Sequence, residues 1–112
     1  MNIATRRVGN VLVAELSGRL DSHSSGDIGD RIVAIAQGTD SHVVLNLEKL
    51  AYVSSAGLRV ILRGAKLLQT KSGELKICCA TAQVKEALET SGFNSLIRLH
   101  DTEPEAIAAF SA

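Results

Sequence analysis

Aromatic side chains are nearly missing from this sequence, which has no tryptophan, one tyrosine (Tyr52) and two phenylalanines (Phe93 and Phe110). Proteins that grip single-stranded nucleic acid stack its bases on aromatic faces, and this chain has too few for that. A surplus of one charge is missing too, because twelve basic residues balance twelve acidic ones. No net field therefore steers the chain toward DNA, RNA or an anionic bilayer. No apolar run approaches the roughly 18–20 residues that a spanning helix requires. The opening segment, Met1-Asn2-Ile3-Ala4-Thr5-Arg6-Arg7, is not followed by a signal-peptide hydrophobic stretch. Neither nucleic acid nor membrane is expected as a partner, and the expected location is the cytoplasm.

Cysteine is scarce as well, limited to Cys78 and Cys79, adjacent in an apolar run. Neighbours on a strand point to opposite faces, so these two are poorly placed to bridge each other, and they make no CxxC motif. Two small hydrophobes in a buried strand account for them better than a redox pair. What the chain does have is aliphatic: 46% of its 112 residues are apolar, mostly Leu, Ile, Val and Ala. That length suits one compact core and is too short for two. With no linker, repeat or low-complexity stretch, residues 1–112 are expected to form a single domain.

Residues 2–8 and 11–17 are apolar-rich and separated by Gly9-Asn10, a two-residue hairpin signal. Leu12, Ala14 and Leu16 share one side of the second strand, which Gly18 is expected to end. Asp21 and Ser22 are N-cap candidates for a helix with Ile28, Ile32, Ile35 and Ala36 on one face, stopped by Gly38. The run at 43–47 has the continuous apolar character of a strand covered on both faces. A second helix is predicted from Ser55 to Thr70, a third buried strand at Leu75–Cys79, and a helix over 82–91 with Val84, Ala87 and Leu88 inward. A short strand follows at Leu96–Leu99. Thr102 and Glu105 have capping-box spacing, with the sole proline, Pro104, in the first turn of a last helix. The order β-β-α-β-α-β-α-β-α predicts an α/β sandwich: a mixed sheet of four to five strands begun by an antiparallel hairpin, with about four helices and right-handed crossovers.

The most informative stretch runs from Leu50 to Leu62. It joins a buried strand to a helix and puts polar residues where the helix begins. Ser54 is a natural N-cap, so Ser55 falls in the first turn, where unpaired N–H groups and the helix dipole favour negative charge. Both serines acting simply as caps is the plainer alternative. At 100° per residue, Leu58, Ile61, Ala65 and Leu68 make a core face, and Arg59, Arg63 and Lys66 make a basic stripe in line with Ser55. Beyond the stripe, on the side turned from the core, fall Ala56, Val60, Gly64 and Leu67. Such a strip fits either a partner surface or cover by the last helix or a terminus.

Tyr52-Val53-Ser54-Ser55-Ala56-Gly57-Leu58-Arg59 resembles the signature of STAS-domain anti-sigma-factor antagonists: an aromatic, an aliphatic, then Asp-Ser-Ser/Ala-Gly-Leu. Leu16-Ser17-Gly18-Arg19-Leu20-Asp21 resembles the other recurring motif of that family, a Gly-x-Leu-Asp turn into the first helix. Element order and length agree over essentially the whole chain, which implies a STAS-like fold. The resemblance puts the phosphoacceptor serine at Ser55 and the glycine after the pair at Gly57. It also brings Asp21 near the same surface. The Asp before the acceptor is Ser54 here, which keeps an N-cap oxygen, loses a carboxylate and leaves Ser54 open as a second acceptor.

The resemblance further implies a partner-switching role, in which the chain binds an anti-sigma serine kinase of the histidine-kinase-like ATPase superfamily and frees a sequestered sigma factor or comparable regulator. Phosphorylation at Ser55 would end that binding, and a serine phosphatase would reset it. The expected docking residues are Asp21, Ser54, Ser55, Ala56, Gly57, Arg59, Val60 and Arg63. ATP belongs to the partner; with neither a Walker loop nor a dinucleotide fingerprint, the chain is expected to carry no cofactor. His23, His42 and His100 are scattered, without metal-ligand spacing or a base paired to Ser55, so no catalysis is expected. An accessory subunit of a lipid-transport ATPase, or a part of a larger signalling assembly that binds without phosphorylation, is the alternative.

Overall fold

The computed structural model describes residues 2–92 and 97–110. Its elements are β1 (Asn2–Val8), β2 (Val11–Leu20), α1 (Ser25–Gln37), β3 (His42–Val53), α2 (Ser55–Gln69), β4 (Glu74–Cys78), α3 (Ala82–Thr90), β5 (Arg98–His100) and α4 (Glu103–Ala109). The strands form one sheet in the order β1-β2-β3-β4-β5. β1 and β2 are antiparallel, and every later pair is parallel. The expected mixed sheet of four to five strands, begun by an antiparallel hairpin, is present with five strands. Of the strand expected at Leu96–Leu99, Leu96 lies outside the described residues.

Because the strand order never reverses, crossovers of one hand must all fall on one face of the sheet. α1, α2 and α3 accordingly share a face, burying Ile28, Ile32, Ile61, Leu68, Val84 and Leu88 against Leu16, Leu45, Leu47 and Ile77. α4, after the last strand, turns to the other face and covers Val11, Val13, Val44 and Cys78 with Ala106. Alternate residues of the central strands feed the two cores, as the pleat requires.

Two strands run past their expected ends. β2 continues through Gly18 to Leu20, and β3 runs on from Leu47 to Val53 beside it. Gly18, at φ 103°, sits at a register shift, so it bulges the strand instead of ending it. The cysteine geometry also differs from strict alternation. β4 stops at Cys78, and Cys79 takes a φ of 65°, so both side chains pack on the α4 side. Both thiols are free, and burial pushes that of Cys78 up.

The α4 face carries a polar network that the sequence pattern did not announce. Glu103 pairs with Arg6 and accepts from the buried amide of Asn46 at 3.0 Å. Lys76, also buried, meets Glu74 at 2.8 Å and lies over the Phe110 ring, which stacks on His42. The Arg6 guanidinium, then the Asn46 amide, hold the Glu103 carboxyl below the usual range against the opposing effect of burial. A depressed folded value means stability that is present above the unfolded value and is lost as pH falls through the folded one. Unfolding free energy should therefore drop on acidification below about pH 4.3, the ordinary glutamate value, and Glu103→Gln should flatten that part of the profile. Denaturant titrations across the acid range check this; equal slopes for the two proteins would contradict it.

Candidate functional site

The site is built where β2 and β3 end together. Arg19 pairs with Tyr52 and Leu20 with Val53 in parallel register, and the Arg19 guanidinium lies 4.4 Å from the centre of the Tyr52 ring. One residue on, the Ser54 N–H donates to the Leu20 carbonyl at 2.8 Å. The chain then turns into α2. Ser54 is its N-cap: extended at φ −91°, ψ 174°, with Oγ accepting from the Gly57 N–H at 3.2 Å. The first intrahelical bond runs from the Leu58 N–H to the Ser54 carbonyl. That leaves the N–H groups of Ser55 and Ala56 as orphan donors of the helix end, without a partner among the described residues.

Gly57 explains why the entrance sits so close to β2. A Cβ there would lie 2.7 Å from Leu20 Cγ, 2.8 Å from its carbonyl oxygen and 3.0 Å from Val53 Cγ2. Only a residue without a side chain lets α2 dock with its cap bonded to Leu20. Ser55, on the outer side of that turn, is exposed. The two motifs, far apart in sequence, therefore form one structure: Arg19 and Leu20 of the first meet Tyr52, Ser54 and Gly57 of the second.

Asp21 follows directly on Leu20. Its Oδ1 accepts from the N–H groups of His23 and Ser24, at 3.0 and 3.2 Å. Those bonds, that of His23 foremost, hold its carboxyl below the usual range. Asp21 thus caps the turn leading into α1, while Ser24, not Asp21 or Ser22, stands at the helix N-cap. Arg59 and Arg63 are exposed one and two turns beyond Ser55. A groove of about 340 Å³ opens between the starts of α1 and α2, with Asp30 on one wall and Ala56, Arg59 and Arg63 on the other.

Two expectations about this helix need correction. Gly57 is buried, so it positions the entrance and offers no surface to a partner. The strip Ala56-Val60-Gly64-Leu67 does not face outward as a whole, because α1 covers its middle. Gly64 is buried, with room for a Cβ taken by Ile32 Cγ2 at 2.5 Å, and half-buried Val60 fills the space beside Gly29. These residues do point away from the sheet, and α1 packs across them there. Ser25 and Arg19 complete the surroundings without a signal of their own in the sequence, and Asp30, which the sequence offers as a solvated charge near the start of α1, lines the groove. Arg19 was legible only as a member of the first motif. Of the histidines, His23 lies beside Asp21, while His42 and His100 sit on strands at the α4 face. Among the described residues no helix is long and apolar enough to cross a membrane.

Gly57→Ala tests the close approach. In an unobstructed helix the change would stabilise by up to about 1 kcal/mol; here the contact with the Leu20 backbone should reverse the sign and cost about 1–3 kcal/mol. Denaturant unfolding reads the difference, and a gain in stability would contradict the geometry.

Known proteins share both sequence and shape with this chain. Residues 2–106 match the family model described as the STAS domain. The chain is 36% identical to BtrV of Bordetella bronchiseptica, over 98% of this chain and 95% of that one. It is also 36% identical to the anti-sigma F factor antagonist of Paenibacillus polymyxa, over 87% and 84% of the two chains. The solved structure of the anti-sigma factor antagonist SpoIIAA in its unphosphorylated form superposes with a TM-score of 0.81 at 25% identity, covering 98% of this chain and 96% of that one. With the cap at Ser54, the bare backbone at Gly57 and the paired motifs in place, this chain belongs to the STAS-domain family of anti-sigma-factor antagonists.

Proposed function

We propose that this protein is an anti-sigma-factor antagonist that docks, through the entrance of α2 and the loop before α1, on a cytoplasmic serine kinase of the histidine-kinase-like ATPase superfamily. Docking frees the sigma factor or comparable regulator that the kinase sequesters. The kinase transfers the terminal phosphoryl group of its ATP to the Ser55 hydroxyl, releasing ADP, and a serine phosphatase restores the free hydroxyl. The chain itself is the substrate of these steps and catalyses none of them.

The observation that carries this reading is the division of labour between the two serines. Ser54 Oγ is engaged as the helix cap, and Ser55 is exposed in the first turn. An acceptor must reach the active site of another protein, and Ser55 is the one free to do so. Ser54 remains a second acceptor only at the cost of its cap. The relatives support the same reading: one is named as an anti-sigma F factor antagonist, and SpoIIAA has also been solved in a phosphorylated form.

A phosphate adds roughly −1.5 to −2 charges near neutral pH. Within a docked surface that charge is desolvated, and an uncompensated buried charge costs about 3–5 kcal/mol. At about 1.4 kcal/mol per tenfold, binding weakens by roughly 100-fold or more without any change of fold. Orphan N–H groups at the helix end and Arg59 one turn on favour the phosphate on its own helix and out of the partner's reach.

Ser55→Ala should hold the kinase constitutively in the presence of ATP, and Ser55→Asp should bind about 100-fold more weakly. Titration of the purified kinase with each variant measures this, and equal affinities would overturn the reading.

A further inference from the structure

α2 is the one helix among those described that carries basic residues and no acidic one: Arg59, Arg63 and Lys66 stand against no Asp or Glu. In a chain whose charges balance at twelve each, that concentration is a local field. All three side chains are exposed. None pairs with a carboxylate among the described residues, whereas Arg6, Arg7, Lys49 and Lys76 all do. Their i, i+4, i+7 spacing lines them up along about 10 Å of helix.

The stripe also has a centre. Leu62 and Leu67, half-buried, floor a shallow hollow of about 380 Å³, with Arg59, Arg63, Lys66 and Thr70 around it. An aliphatic hollow rimmed by unpaired cations is complementary to an aliphatic side chain flanked by carboxylates. Phosphodiester backbones would use the cations and leave the hollow empty, so the occupant that satisfies both features is a protein segment. The hollow lies further along α2 than the entrance, on the same helix and continuous with it through Arg59 and Arg63.

We infer that the outer face of α2, from Arg59 to Thr70, is a second docking surface for the same partner, and that it receives an acidic segment of the kinase carrying an aliphatic residue between its carboxylates. This rests on the proposed function and adds the chemistry of the partner. The stripe steers association, because opposite fields raise encounter rates and salt suppresses them. Ser55 then meets the active site with α2 already aligned.

The test is association of a purified serine kinase of the histidine-kinase-like ATPase superfamily with three proteins: wild type, the double variant Arg63→Glu with Lys66→Glu, and the charge-conserving double variant Arg63→Lys with Lys66→Arg. The reversed variant should associate at least about tenfold more slowly at low salt, with the gap closing near 0.5 M salt, where screening shortens to a few ångströms. The charge-conserving variant should keep the wild-type rate. Circular dichroism verifies the fold, and a neutral pair, Arg63→Gln with Lys66→Gln, replaces the reversed one if that fails to fold. Wild type failing to bind the kinase at all overturns the functional reading and this inference with it. Wild type binding while the reversed variant matches its rate and salt dependence overturns this inference alone. Displacement of the kinase from wild type, but not from the reversed variant, by a single-stranded oligonucleotide would also overturn it, in favour of nucleic acid.

Discussion

The backbone of Gly57 against Leu20 is the contact on which the functional surface depends. A methyl group in that position would lie 2.8 Å from the Leu20 carbonyl oxygen, the same oxygen that accepts the Ser54 N–H. The last residues of β2, the cap of α2 and the first turn of that helix are thereby locked to one atom. Ser54 is held as a cap, and Ser55 follows it outward. The position of Ser55 is thus fixed by backbone geometry at the point where β2 and β3 end.

Packing of α1 on α2 continues that close approach along the surface. Each helix offers a glycine to the branched side chain of the other, Gly29 to Val60 and Gly64 to Ile32. This close approach narrows the groove between the helix starts and leaves the arginines on its rim. Burial of apolar surface and exposure of charge are therefore set by the same two helices. On the opposite face, α4 is held by charge as well as by apolar cover: Glu103 ties Arg6 of β1 to Asn46 of β3. Along the outer side of α2, by contrast, Arg59, Arg63 and Lys66 have no such pairing among the described residues.

Much of the fold was legible in sequence because period and punctuation agreed: the Gly9-Asn10 turn, the caps at Ser54 and Thr102, the continuous apolar runs of β3 and β4. Where reading failed, a tertiary neighbour outvoted a local signal. Gly18 looks like a strand end, yet pairing of β2 with β3 carries the strand on to Leu20. Cys79 looks like the next strand residue, yet its left-handed backbone turns it to the face already occupied by Cys78. Val60 and Gly64 project away from the sheet, and helical periodicity contains no information about a second helix lying across them. The cap at Ser54, and with it the first-turn place of Ser55, was legible because capping is local chemistry; the acceptor role proposed for Ser55 rests on the family resemblance. The role of Gly57 needed the structure, since Leu20 lies far away in sequence.

Mass spectrometry of the unmodified protein after incubation with the proposed partner kinase and ATP measures the central point most directly. The account predicts a single phosphate, carried by Ser55, with Ser54 unmodified as the helix cap. A phosphate on Ser54 alone, or none on either serine while the kinase stays bound, would contradict it.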